Sequence, residues 1–285
     1  MEKEVLEKYE RARKVSDEIL PFAKTLVKEG VSILEIAEKI ENRIKELGLK
    51  PAFPVNISIN EIAAHYTPDI NDLTVIRNGD LVKVDIGIQI DGYIWDRAFS
   101  ISIGEENPLI KAAEKALEEA IKTVKPGIRV FEISEIIEDT VSSFGFNPIR
   151  NLSGHGLERF NQHAFPSIPN SKNTIKAEIK DQVIAIEVFV TDGSGYVKES
   201  SPTLIYKFKQ DRPVRMHEAR KILEMAKTEF DFLPFTKRWI KGISPLKIDM
   251  ALRQLIDANA IVDFPVLREI SGKKVAQSEE TLIVK

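Results

Sequence analysis

An α+β fold made of two related halves, with a helical insertion in the second, is what this chain predicts. Three observations point there: an acid-bearing β-hairpin around residue 90, a repeat of its flanking pattern at an offset of 97 residues, and a helical tract between two late strands. At 285 residues there is room for one large domain or two ordinary ones.

In order, residues 2 to 29 read as a helix with Val5, Leu6, Tyr9, Ala12, Ile19, Ala23 and Leu26 on one stripe. Pro21 is a place where it would kink or divide, and Gly30 ends it. A second helix starts at Ser32, where Ser32 and Glu35 have capping-box spacing, and runs through Ile36, Ile40 and Ile44 to Gly48. Pro51 opens an extended, proline-punctuated segment that contains His65.

Leu81 to Ser102 follows as the hairpin. Strict alternation puts Val82, Val84, Ile86, Ile88 and Ile90 on one face, and Asp91-Gly92 is a favoured two-residue turn. With Ile90 opposite Tyr93, Asp85 faces Ala98 and Asp96 faces Gly87. The two aspartates then become diagonal neighbours roughly 7–8 Å apart at the backbone, with Gly87 and Ala98 leaving room beside them. Two converging carboxylates repel unless a cation sits between them.

Asn107 to Val124 is a helix, after which the early pattern returns. The offset of 97 carries Gly30 to Gly127, Glu35 to Glu132, Ile40 to Ile137, Gly48 to Gly145 and Pro51 to Pro148. Later the offset drifts, but an apolar strand again ends on an acid, so Glu187 is the counterpart of Asp85 and His163-Ala-Phe-Pro166 echoes His65-Tyr-Thr-Pro68. Two halves about a pseudo-twofold, each sending acids to a shared centre, follow. The second half lacks an immediate return strand. Residues 204–269 read as a helical insertion subdomain, and the main domain comprises 1–203 and 270–285. The strand Lys274 to Val284 then offers Glu279 or Glu280.

Composition narrows the chemistry. A net charge of −3 and a pI near 6.0 give no electrostatic reason for nucleic-acid binding. Nothing reads as a membrane span, and the charged start MEKEVLEK lacks the apolar core of a secretory signal, so a cytoplasmic location is expected. The absence of cysteine excludes disulfides, thiolate metal sites and thiol nucleophiles. What remains is Asp85, Asp96, Glu187, one of Glu279 or Glu280, and His155 in a Ser-Gly-His-Gly segment whose glycines allow close backbone approach. This hard, oxygen-rich set suits manganese, iron, cobalt or zinc. It would overcharge one divalent ion. Two cations about 3.5–4 Å apart would balance it and acidify a water held between them.

Val-Asp85-Ile-Gly with Asp96 eleven positions on, Asn-Leu-Ser-Gly-His155, Ala-Ile-Glu187 and Ala-Gln-Ser-Glu279 resemble the methionine aminopeptidases of the pita-bread fold. Asn60-Glu-Ile-Ala-Ala-His65-Tyr-Thr-Pro68 and the late helical insertion resemble type II, and the short N-terminus resembles its archaeal form. The resemblance implies removal of the initiator methionine from nascent polypeptide N-termini when the second residue is small, with the ribosome a candidate partner and a monomer the expected state. It implies two divalent metal ions. Asp85 would chelate one, Asp96 and Glu279 would bridge both, and His155 with Glu187 would hold the other. Glu187 would also handle the water's proton. His65 and His163 would contact the scissile amide without binding metal, and Phe53 would line the methionine side-chain pocket. The chain departs from the family pattern at Val188, Glu280, Phe165 and Gln162, the last standing where an apolar pocket residue is more usual. An Xaa-Pro peptidase and a non-catalytic binding protein of the same fold are the rival readings. Loss of metal ligands would mark the latter, and none of the five is lost.

Overall fold

The computed structural model describes residues 1–285. Helices α1 (Lys3–Leu26) and α2 (Ile33–Glu46) precede β1 (Lys50–Pro51), β2 (Asn56–Ile59), β3 (Ile62–Ala64), β4 (Leu81–Ile90) and β5 (Tyr93–Ser102). The second half holds α3 (Pro108–Thr123), β6 (Ile128–Arg129), α4 (Val130–Ser143), β7 (Asn147–Pro148), β8 (Ser153–Glu158), β9 (Asn161–Pro169), β10 (Glu178–Ile179) and β11 (Gln182–Thr191). Then come β12 (Val197–Phe208), α5 (His217–Thr228), α6 (Pro245–Asp257), β13 (Ile261–Glu269) and β14 (Val275–Val284).

The main sheet has nine strands, ordered β1-β4-β5-β14-β11-β8-β9, with β2 also on β4 and β7 also on β11. The pseudo-twofold is visible in its register. Helix α2 maps onto α4 and β1 onto β7 at the offset of 97 residues. Pro51 pairs with Ile88, and its counterpart Pro148 pairs with Val190. Three residues before those partners stand Asp85 and Glu187, so the acids are equivalent by register as well as by sequence. The halves meet where β5 runs beside β14 and Ala98 faces Glu279.

One face of the sheet is apolar on every second residue and takes the helices. Val82, Val84, Ile86 and Ile88 pack in one core with Tyr9, Ile19, Ile36 and Ile40, whereas Ile184, Ile186, Val188 and Val190 pack in another with Ala113, Leu117, Ile133 and Ile137. Each such side chain is worth about 1.5–3 kcal/mol when withdrawn from water, so strand register is strongly specified. The opposite face is left to the polar residues. A three-stranded sheet, β12-β13-β3, stands over it.

Four local expectations change. Helix α1 runs unbroken through Pro21, because buried Ile19 and Ala23 on either side anchor it to the core and offset one lost hydrogen bond. Ser32 occupies the N-cap of α2 without a side-chain bond; the Ile33 N–H donates to the Thr74 carbonyl (3.1 Å), so a neighbouring segment does the capping. Gly87 leaves no room for a cation, since the Phe53 ring fills that space and a Cβ there would lie 2.2 Å from it. Finally, both ends of 204–269 are strand, β12 pairing with β13 from Val197↔Glu269 to Phe208↔Ile261. Only the middle is helical, with α5 and α6 sharing a core on Ile222, Ala226, Leu252, Leu255 and Phe235.

Candidate metal centre and active site

Four adjacent strands deliver the acids in one transverse row. Asp85 pairs with Ala98, Ala98 with Glu279, and Glu279 with Glu187. Side chains of such a row share a face, and residues two away on a strand share it too. Asp96 lies two residues from Ala98, and His155 is opposite Ala185, two residues from Glu187. All five candidate ligands therefore emerge on the helix-free side. Glu280 points the other way, where it accepts from Arg97 Nη2 (2.5 Å), and Arg97 also reaches Asp17 (2.6 Å). Gly154 lets β8 come close enough, since a Cβ there would stand 2.4 Å from the Ala185 carbonyl oxygen.

Two groups converge, each with ligand atoms within 4.8 Å of one another: Asp96, His155 and Glu279, and Asp85, Glu187 and Glu279. Glu279 belongs to both. The pairing of His155 with Glu187 expected from the resemblance is not among these groups. Gln277 Nε2 donates to Glu187 Oε1 (2.9 Å) and to Asp85 Oδ2 (3.4 Å), linking those two carboxylates. Sequence reading missed Gln277, although its place two residues before Glu279 puts it on the same face.

The electrostatics favour a cation at this cluster. Burial pushes Asp85 up to about 7, against bonds from Gln277 and Asp96 that lower it. Asp96 is raised well above its ordinary value by burial and then by Asp85 and Glu187, and Glu279 by burial and then by Asp96, Glu187 and Asp85. Glu187 is raised by burial and by Asp85. Asp85 Oδ1, Asp96 Oδ1 and both oxygens of Glu279 are buried without any hydrogen-bond partner. Carboxylate oxygens in that state are costly unless they coordinate a metal. His155 fits the same role. Its Nδ1 contacts the Gly156 carbonyl (3.2 Å), which can only accept, so Nδ1 carries the hydrogen and Nε2 keeps its lone pair. Burial holds His155 down at about 4, hence neutral and ligand-competent at pH 7.

These groups line a cavity of about 290 Å³ together with Phe53, His65, Gln162, His163, Ile205 and Phe264. His65 has a left-handed backbone (φ 63°), and its Nδ1 contacts the Pro265 carbonyl (3.2 Å), leaving Nε2 free. Burial lowers its pKa. His163 stands edge-on to His155 with ring centroids 4.8 Å apart, at the open part of the cleft. Partial desolvation in the cleft, then His155 and His65, lower its pKa. Ile205, Pro234, Phe264 and Leu267, all from the 204–269 segment, also line this cavity. No periodic signal in the sequence ties them to the acids. His217 lies exposed at the start of α5, away from the cavity lining.

A sheet with two register-equivalent acids, a shared glutamate and a neutral histidine defines a metallopeptidase of the pita-bread fold, and the comparisons with known proteins agree. Residues 7–219 match the model of metallopeptidase family M24. A methionine aminopeptidase of Thermococcus onnurineus is 49% identical over 279 residues, covering 96% of this chain and 93% of that one. The methionine aminopeptidase structure from Thermotoga maritima superposes with a TM-score of 0.73 at 24% identity, covering 100% of this chain and 94% of that one. A thermophilic Arx1 superposes with a TM-score of 0.86 at 18% identity, covering 99% and 88%. The two structures establish the fold. The chain belongs to metallopeptidase family M24 and, within it, to the archaeal-type methionine aminopeptidases. No helix is long and apolar enough to cross a membrane.

Proposed function

We propose that Asp85, Asp96, His155, Glu187 and Glu279 hold two divalent ions, and that around them the chain removes the N-terminal methionine of proteins. The observation that carries this reading is the set of four buried, partnerless oxygens on Asp85, Asp96 and Glu279. Glu279 belongs to both ligand groups and, with Asp96, would be shared between the ions; cobalt, manganese, iron or zinc would fit the donor set. When bound, such ions supply Lewis acidity and lower the pKa of a water between them.

The protein's own groups do the rest. Gln277 donates to Glu187 Oε1 and fixes the orientation of a carboxylate that would serve both as a ligand and as the acceptor of the water's proton. His65, with Nδ1–H engaged by the Pro265 carbonyl, uses the Nε2 lone pair to accept from the scissile amide N–H, and neutral His163 serves the leaving nitrogen from the open side. Phe53 with Ile205 and Phe264 receives the methionine side chain. The 204–269 subdomain, through β12 and β13, walls that pocket without contributing a ligand. In this reading the protein works as a monomer on nascent chains in the cytoplasm, with the ribosome as the place of encounter. The test is metal content by mass spectrometry alongside release of methionine from a Met-Ala-Ser peptide: about two ions per chain and cleavage are expected, and one ion or none would overturn the dimetal assignment.

A further inference from the structure

Gln162 is 5% exposed yet lines the same cavity as Phe53, Ile205, Pro234 and Phe264. Its amide orientation is set by a neighbour. Lys207, on the same strand as Ile205 and two residues along, donates its Nζ to Gln162 Oε1 (3.1 Å). An ammonium group can only donate, so it selects the amide oxygen and leaves Nε2 for the other side. That nitrogen has two N–H groups and makes no hydrogen bond to any protein acceptor. Lys207 itself has no carboxylate partner; Gln162 is its one side-chain bond. An oriented, unpartnered amide donor on a largely buried side chain is thus presented to the cavity that also holds Phe53, Ile205, Pro234 and Phe264.

A thioether sulfur accepts hydrogen bonds weakly, whereas the oxygen of methionine sulfoxide is a strong acceptor on a side chain of nearly the same length. We propose that this pocket accepts N-terminal residues whose unbranched side chain carries a hydrogen-bond acceptor, and that the protein releases N-terminal methionine sulfoxide as well as methionine. This rests on the aminopeptidase reading of the cleft. The reaction is the same hydrolysis: water adds across the first peptide bond, giving free methionine sulfoxide and the shortened peptide, with no change at sulfur.

The test compares Met-Ala-Ser, its methionine sulfoxide form and norleucine-Ala-Ser in the metal-loaded wild type, Gln162→Met and Lys207→Met. Norleucine matches the length and lacks the acceptor. In the wild type, kcat/KM for the sulfoxide peptide should fall within about tenfold of that for Met-Ala-Ser, since one good hydrogen bond offsets the desolvation of one polar group. Gln162→Met should lower the sulfoxide-to-norleucine ratio by about tenfold. Lys207→Met should lower it by less, because the freed amide can still turn its donor inward part of the time. A ratio within about twofold of wild type in Gln162→Met would overturn the proposal. Calorimetric binding of free methionine sulfoxide and free norleucine to the same three proteins gives a second readout. If no peptide is cleaved, the aminopeptidase reading fails. The calorimetry then still decides, with a sulfoxide preference lost in Gln162→Met supporting the pocket and equal binding overturning it.

Discussion

Arg238 and Glu41 form a two-point ion pair between the insertion and the first half: Nη1 donates to Oε2 at 2.9 Å and Nη2 to Oε1 at 2.8 Å, with both side chains almost fully buried. Trp239 Nε1 donates to the same carboxylate (2.9 Å), and Arg238 also reaches the Pro68 carbonyl (2.7 Å) and Thr67 Oγ1 (2.9 Å). Thr67 in turn donates to the Val55 carbonyl (2.8 Å). The segments on either side of His65 and Phe53 are therefore tied to α2 and to the insertion at one point.

Breaking that pair by Arg238→Leu leaves a buried, unpaired carboxylate and should cost about 3–5 kcal/mol of stability. Arg238→Lys keeps the charge but not the fork, and should cost less. The double change Arg238→Leu with Glu41→Leu should be less damaging than the single one. Denaturant unfolding measures all three. A loss under about 1 kcal/mol for Arg238→Leu would mean that the pair does not hold the insertion in place.

Adjacent acids on β14 should behave in opposite ways. Glu279 enters both ligand groups, whereas Glu280 sits against Arg97 on the far face. Glu279→Ala should abolish methionine release and lower bound metal, while Glu280→Ala keeps both and loses at most about 1 kcal/mol of stability, as a partly exposed ion pair does. Metal counting and peptide cleavage, run side by side, decide it. If Glu280→Ala is the inactive one, the ligand assignment on β14 is wrong.

His65 is predicted to work on the substrate and not on the metal, because it belongs to neither ligand group. His65→Ala should keep its full metal content while kcat falls by about 10² or more. Loss of metal in this variant would move His65 into the coordination sphere.

Acid stability should carry the signature of Glu269. Burial by itself would raise this carboxyl, but bonds from the Ser194 and Ser271 hydroxyls and from the Lys273 and Ser194 backbone N–H groups outweigh it and hold the group at about 2. A depressed carboxylate stabilises the fold fully above its unfolded value of 4.5, and that contribution is lost as pH falls toward about 2. Glu269→Gln should therefore lower the Tm at pH 7, with the gap closing below about pH 3. A gap independent of pH would refute the assignment.

Alternation and turn chemistry along the chain were enough to determine the hairpin register, because a one-residue slip would expose Val82, Val84, Ile86 and Ile88 to water. The predicted pairs Asp85↔Ala98 and Gly87↔Asp96 are those found. The repeat likewise determined that Asp85 and Glu187 are equivalents, since the offset of 97 residues carries α2 onto α4 and β1 onto β7. Both are short-range or periodic features, written residue by residue. Tertiary structure alone decided how Glu279 comes to sit between the two halves, why Gln277 joins Glu187 to Asp85, and that Phe53 fills the space above Gly87. It alone placed Gln162 against Lys207 and Arg238 against Glu41, contacts spanning 45 and 197 residues of chain. Such long-range polar contacts leave no periodic trace: they depend on how sheet, helices and insertion pack, and that packing is set by apolar burial elsewhere in the molecule.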